Sequence, residues 1–349
     1  MKLIVPLAGQ SSRYGIDRPK WMLTMPNGSL MVKECLKNID MPEVDEIVLV
    51  PLQSHMDKFM SEDFLSNEIS SFTSVRTTIV PLKEPTSCQA ETVVRALQHI
   101  GGEFPLFIKD CDNSFSAKPR RENAVFYLDL NNVEFINAKN KSYISFDSLK
   151  QINRIVEKKV ISSSFCVGGY SFESSTAFIG SYERIQSLRE LEVYISNVVY
   201  EMISNDVVFY ASEVDTYEDW GTIREYRDVQ SANQTIFSDF DGVLVSNSSS
   251  FDSPPWQYNP IHENIESLQR LCDSKSICLI ITTSRPHSER QNIINFFQSH
   301  GLVVHEVVTA LPHCRRILIN DHSATNAYPA AVGISVPRNL RNLGSFLSS

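Results

Sequence analysis

Residues 3–20 read Leu3-Ile4-Val5-Pro6-Leu7-Ala8-Gly9-Gln10-Ser11-Ser12-Arg13-Tyr14-Gly15-Ile16-Asp17-Arg18-Pro19-Lys20. A short apolar run, long enough for one buried strand, opens into a loop of small and polar residues that includes Arg13 and is followed by Lys20. Small residues let backbone N–H groups approach phosphate oxygens closely, and Arg13 and Lys20 add cationic donors, the arginine as a fork. The loop lacks the GxxxxGK[ST] pattern of a P-loop. By itself it reads equally well as an ordinary turn between strand and helix, so its companions decide.

Working outward, apolar segments 3–7, 46–50, 78–81 and 106–108 read as strands, with helical patterns at 30–36 and 91–100. This rhythm predicts an α/β fold with a mostly parallel sheet, whose ligands bind beyond the carboxyl ends of strands. The loop after residue 7 and the turn Asp110-Cys111-Asp112 both sit at such ends. After Asp112 the chain becomes β-rich (124–130, 143–146, 152–157, 165–170), and helices return at 181–189 and 193–204. Residues 228–234 are polar and read as a linker, giving an expected division into 1–230 and 231–349.

The strand expected at 235–240 opens a second α/β unit, with helices at 261–273 and 290–300 and strands at 277–282, 302–308 and 317–319. Asp239 and Asp241 flank Phe240 at the first strand's end, and Gly242 permits the turn. Two carboxylates so spaced can face one reaction centre, one attacking phosphorus while the other moves a proton. An anionic carboxylate approaching an anionic phosphate calls for Mg2+. Thr283 follows the next strand and offers a hydroxyl, and Asp321 is placed to complete the metal site.

In the first part, the ordered set Leu7-Ala8-Gly9, Arg13, Pro19-Lys20, Gln89-Ala90, Cys111-Asp112-Asn113-Ser114-Phe115, Val156-Glu157-Lys158, Gly168-Gly169-Tyr170 and Asp219-Trp220-Gly221-Thr222 resembles the sugar-1-phosphate nucleotidyltransferases over about residues 1–230. The resemblance implies a GT-A-like, Rossmann-type domain. In that family a sugar phosphate oxygen attacks the α-phosphorus of an NTP and expels pyrophosphate. It implies that Leu7, Ala8, Gly9, Gln10, Ser11, Ser12 and Arg13 hold the triphosphate with Lys20 beside it. By the same likeness Gln89 reads the base, Asp112 and Asp219 hold Mg2+, and Lys158 and Gly169 meet the sugar phosphate. One departure is the loop itself, which has fewer glycines than the family's GGxGxR and so less backbone freedom.

In the second part, Asp239-Phe240-Asp241-Gly242-Val243, Thr283-Ser284-Arg285 and Asn320-Asp321 resemble the haloacid-dehalogenase-like phosphohydrolases over about residues 233–349. That likeness implies a small Rossmannoid domain without a cap. It makes Asp239 the nucleophile, Asp241 the acid/base, and Thr283, Ser284 and Arg285 phosphate contacts, with Asp239, Asp241 and Asp321 at the metal. The family's lysine before the last motif is missing, since no Lys follows Lys275, and Arg315 or Arg316 is the candidate replacement. Segment 246–260, with Pro254-Pro255-Trp256, reads either as a stiff flap or as a surface loop.

Bulk properties set the frame. The 349 residues suit two domains, and 42% hydrophobic with 21% charged residues suits a globular protein. A net charge of −9 gives nothing to attract nucleic acid or an anionic membrane. Seven cysteines without CxxC pairs, and no leader pattern, read as thiols of a cytoplasmic protein. Partners expected are an NTP and a sugar or polyol phosphate, and a homo-oligomer is compatible with the chain. The expectation is a bifunctional enzyme of surface polysaccharide precursor synthesis. Two alternatives stay open: a nucleotide-sugar sensor or scaffold with inactive sites, and a glycosyltransferase using Asp110-Cys111-Asp112 as a DxD element.

Overall fold

A computed structural model describes residues 1–9, 18–133, 137–188, 192–320 and 331–347. The chain divides into two compact units, Met1–Tyr226 and Arg227–Ser349.

The first unit carries strands β1 (Lys2–Leu7), β2 (Glu46–Pro51), β3 (Arg76–Ile79), β4 (Leu106–Lys109), β5 (Asn113–Phe115), β6 (Ala124–Asp129), β7 (Tyr143–Phe146), β8 (Ile152–Val156), β9 (Ser164–Phe172), β10 (Tyr210–Glu213) and β11 (Tyr217–Asp219). Its helices are α1 (Met31–Lys37), α2 (Gln53–Phe59), α3 (Glu62–Ser70), α4 (Gln89–Ile100), α5 (Ser175–Leu188) and α6 (Ile195–Ser204), with α7 (Ile223–Ala232) beginning at its end. The main sheet runs β10-β6-β9-β4-β1-β2-β3, with β7 on β9 and β8 on β7. β4, β1, β2 and β3 are parallel, while β9 lies antiparallel between β4 and β6.

The physical causes are local and legible. β1 pairs on both edges and is buried from Leu3 onward, which is why its run is continuously apolar and not alternating. α4 buries Ala90, Val93, Val94, Ala96 and Leu97 on one side. Its start is fastened by Glu91, which accepts from both the backbone N–H and the hydroxyl of Ser87 at 2.7 Å. It stops at Gly101, whose φ of +67° lies in the left-handed region.

A separate two-stranded ribbon decides the site. β11 pairs antiparallel with β5, placing Asp219 opposite Asn113. The Trp220 N–H donates to the Asp112 carbonyl at 2.8 Å, which extends that register by one step.

The second unit holds a parallel sheet of β12 (Asn233–Asp239), β13 (Ser276–Thr282) and β14 (Glu306–Val308), with helices α8 (His262–Ser274), α9 (Arg290–Ser299) and α10 (Gly344–Leu347). Phe240, Leu244, Ile265, Leu268, Ile281, Ile293 and Phe297 form its core.

Three expectations need correction. Segment 228–234 is not a loop: α7 extends to Ala232 and β12 begins at Asn233. Its polarity is that of an exposed helix face, with only Tyr226 buried. The strand expected at 302–308 is confined to Glu306–Val308. Residues 317–319 form no strand, and Ile317, Leu318 and Ile319 stand 74%, 58% and 88% exposed. An apolar, β-branched run becomes a strand only where a partner edge receives it, and no described strand pairs with this one.

All seven cysteines are free thiols: Cys35, Cys88, Cys111 and Cys166 are buried, and Cys314 is exposed. No described helix is long and apolar enough to cross a membrane.

Candidate active sites

In the first unit a cleft of about 480 Å³ opens beyond the carboxyl ends of β1 and β4. Leu7, Ala8, Gly9, Lys20, Gln89, Asp112, Lys158 and Asp219 all line it. Gln10, Ser11, Ser12 and Arg13 lie outside the described residues.

Asp112 and Asp219, far apart in sequence, meet here through the β5–β11 ribbon. A methyl group placed on Gly221 would lie 3.1 Å from Asp219 Oδ1, 3.5 Å from Asp112 Oδ2 and 3.6 Å from Glu225 Oε2, so three carboxylates crowd around one point. Lys20 ion-pairs with Asp112, and Lys141 Nζ lies 2.5 Å from Asp219 Oδ2. Burial would raise the Asp112 carboxyl, but the ammonium of Lys20, with Lys141 behind it, holds it well below the usual carboxylate range. Asp110 is the opposite case. Burial, then the charge of Asp112, push it up to about 6 although Gln89 hydrogen-bonds to it.

The turn carrying these acids is held from beneath. Lys109 is fully buried, and its Nζ donates to the carbonyls of Asp110 and Asn113 at 2.7 and 2.9 Å and to Asn113 Oδ1 at 2.5 Å. It also lies 4.3 Å from the Phe115 ring centroid. Burial holds its ammonium below the ordinary lysine value. Such a charge persists inside only because its hydrogen bonds are made.

At the far wall, Lys158 has a φ of +54° and donates to the Tyr194 hydroxyl, with its Nζ 4.2 Å from that ring's centroid. The Glu157 carboxylate accepts from Ser142 and, at 2.6 Å, from Ser196.

Two placements differ from the sequence reading. The Gln89 amide is engaged by Asp110 within the cleft wall. Gly169 faces the core, where a methyl on it would meet Phe115 Cζ at 2.7 Å, and the cleft-lining residue is Gly168. Successive residues of a strand point to opposite faces, so the two glycines of β9 cannot share the job. Gly168 has a φ of +82°, and a methyl there would sit 2.7 Å from Asp110 Cγ. Gly168→Ala is therefore expected to destabilise the first unit by about 2 kcal/mol. An unchanged denaturation midpoint in urea would contradict this account of the strand.

In the second unit Asp239 ends β12 and Asp241 follows in the turn, where Gly242 has a φ of +81°. Burial raises the Asp239 carboxyl, opposed by Arg316, whose Nη1 lies 3.2 Å from Oδ1. The Thr283 hydroxyl donates to Asp241 Oδ2 at 3.0 Å, and Ser284 beside it is half-buried.

Arg285, expected at the substrate phosphate, instead grips Asp241. Nε donates to both carboxylate oxygens at 3.1 Å and Nη2 to Oδ1 at 2.8 Å. Its other N–H groups reach the carbonyls of Trp256 at 3.0 Å and Gln257 at 2.6 Å. The guanidinium is wholly buried against Phe240, Trp256 and Tyr258. A buried guanidinium needs such pairing, which leaves it fastening the 246–260 segment to Asp241. Asp321 lies outside the described residues.

No family model matches the sequence, and no curated protein matches it. Solved structures do resemble it. A nucleoside-diphosphate-sugar pyrophosphorylase from Vibrio cholerae RC9 has a TM-score of 0.56 at 18% identity, over 65% of this chain and 98% of its own. An inositol-1-phosphate CTP transferase from T. maritima has a TM-score of 0.50 at 14% identity, over 66% of this chain and 94% of its own. The first unit shares its fold with these two solved structures. The matched share is the N-terminal part of the chain, so these likenesses do not bear on the second unit.

Sequence reasoning missed Lys141, Glu225 and Tyr194 as parts of this cleft, and Lys109 as the support beneath it. Lys141 sits in a polar loop with no motif around it, and only its contact with Asp219 marks it out. Lys109 had a signal, since a lysine closing an otherwise apolar strand must find partners indoors.

Proposed function

We propose that the first unit transfers a nucleotidyl group from an NTP to a sugar or polyol phosphate, releasing pyrophosphate. The observation that carries this is the meeting of Asp112 and Asp219 at the mouth of the cleft, each with a lysine at hand. Two carboxylates brought together from distant parts of the chain form an all-oxygen donor set of the kind that would hold Mg2+ together with substrate phosphates. When bound, Mg2+ supplies charge neutralisation for the triphosphate.

The chain's own residues do the rest. Lys20 turns its ammonium to the α-phosphate. Lys158, propped by Tyr194, receives the second substrate's phosphate. That phosphate's oxygen forms the new bond to the α-phosphorus as the α–β phosphoanhydride breaks and pyrophosphate departs. Leu7, Ala8 and Gly9 bring backbone groups to the nucleotide side of the cleft. The similar pyrophosphorylase and CTP transferase support this reading through their shared fold.

For the second unit the reading is a Mg2+-dependent phosphohydrolase of the haloacid-dehalogenase type, with Asp239 as nucleophile. Support comes from the strand-end position of Asp239 and from Thr283 at the end of the adjacent strand. One economical role is to trim a bisphosphorylated precursor of a surface polysaccharide to the monophosphate used by the first unit. A second reading is favoured by Arg285: a carboxylate gripped this fully suits binding without turnover, as in a sensor.

The decisive experiment incubates the full chain and Mg2+ with each of the four NTPs against a panel of sugar and polyol phosphates. Pyrophosphate release with one pairing is the expected result. Consumption of an NDP-sugar without any use of NTP would instead make the cleft a glycosyltransferase site.

A further inference from the structure

The two acids at the cleft mouth are not left waiting. Asp112 is paired with Lys20 and Asp219 with Lys141, so each of these acids already has an ammonium beside it, while Glu225, the third carboxylate here, accepts from the Thr222 N–H at 2.7 Å. The lysines come from unrelated parts of the chain. Lys20 opens the short helical turn Lys20–Met22, whereas Lys141 precedes β7.

Lys141 is held firmly. Its Nζ donates to the Tyr217 hydroxyl at 2.5 Å and lies 5.1 Å from that ring's centroid. Its carbonyl accepts from the Lys158 N–H at 3.1 Å, which ties it to the far wall of the cleft. The side chains of Lys141 and Asp219 are only 15% and 13% exposed, so this pair is shielded from screening by salt more than a surface pair would be. Yet the ammonium lines the same cleft as Lys158 and Lys20.

We propose that Lys141 occupies the cation's place at Asp219 in the metal-free protein, and that a divalent cation displaces it there, turning its ammonium toward a phosphoryl group in the cleft. Lys141 is thus a competitor for the metal before substrate arrives and an anion ligand afterwards. The inference rests on reading the cleft as a nucleotidyltransferase site. Its physical content is a count of charge. A divalent cation shared by Asp112 and Asp219 neutralises both acids, which releases the Lys141 ammonium from Asp219 beside the anionic substrate. Tyr217 gives Lys141 a fixed pivot, so the ammonium can change partner without leaving the wall.

The test uses the full chain without nucleotide, with Mn2+ as probe and paramagnetic resonance counting the free ion. Lys141→Met is expected to bind Mn2+ about tenfold more tightly than the wild type, because no ammonium has to leave Asp219. Lys141→Arg, which keeps a cation beside Asp219, is expected to stay near the wild-type value. A merely structural lysine would do the reverse, since its loss would loosen the site and weaken the metal. With Mn2+ saturating, inorganic pyrophosphate should bind Lys141→Met about tenfold more weakly. Unchanged or weaker Mn2+ binding by Lys141→Met overturns the competition, and unchanged pyrophosphate binding overturns the anion contact. Lys141→Gln repeats both titrations if the methionine variant does not fold. Failure of every NTP to yield pyrophosphate in the wild type would sink the nucleotidyltransferase reading separately, leaving the Mn2+ comparison to judge Lys141.

Discussion

Asp112→Asn is expected to lower pyrophosphate release by roughly a thousandfold while leaving the fold intact. The substitution keeps the side chain's shape and removes one negative charge from the mouth of the cleft. The backbone link that sets the geometry does not involve that side chain, because it is the Asp112 carbonyl that accepts from Trp220. The β5–β11 register and the position of Asp219 should therefore survive. The loss is one of charge: the cation has one acid instead of two, and Lys20 has lost its ion pair with Asp112.

The same variant has a pH signature in Mg2+-free buffer. Asp110 is raised from 3.8 to about 6 in the folded chain, by burial first and by Asp112 second. Between those values the folded state holds a proton that the unfolded chain has released, so this group makes stability fall as pH rises from about 4 to about 6. Above about pH 5, Asp112, depressed in the folded state, is ionised in both states and adds no slope. Removing its charge lets the Asp110 carboxyl drop back toward its ordinary value. Urea denaturation across pH 4 to 6 should thus show a shallower decline in Asp112→Asn than in the wild type. Parallel curves would mean that the two acids do not sense each other.

Asp239→Asn is expected to abolish phosphate release, by a factor of about a thousand or more, and to leave pyrophosphate release unchanged. An amide cannot attack phosphorus, and the carboxylate is the only part of the residue that changes. Little stability should go with it, since the Arg316–Asp239 pair is 46% and 40% exposed and such pairs contribute about 1 kcal/mol or less. Phosphate and pyrophosphate are measured separately on one preparation. Loss of both activities would refute two independent sites. A wild type that binds phosphate esters but never releases phosphate would favour the sensor, with Arg285 as the residue that immobilises Asp241.

Much of this architecture was legible in the chain because the physics behind it is local. Short apolar runs bounded by turn residues become strands whatever lies elsewhere, and β1, β2 and β4 fall close to where the pattern puts them. Amphipathic spacing does the same for α4. Asp239, at the end of β12, could also be placed, since the end of a strand is itself a local feature, whereas Asp112 falls in the turn between β4 and β5.

The misreadings share a different cause. Segment 317–319 has the composition of a strand but received no partner edge. Residues 228–234 have the composition of a loop but fold as the end of α7 and the start of β12. Arg285 has the look of a phosphate ligand, yet burial obliged it to find a carboxylate and two carbonyls.

The amino-acid pattern alone determined that the chain makes two α/β units with acids at strand ends, because periodicity and turn chemistry act over a few residues. Only the folded chain decided who neutralises whom. Lys20 reaches Asp112 across 92 positions, and Lys141 meets Asp219 only because the β5–β11 ribbon brings that acid back to the cleft. Coulomb energy depends on separation in space, and separation in space is set by the sheet's return path, which no short stretch of residues encodes.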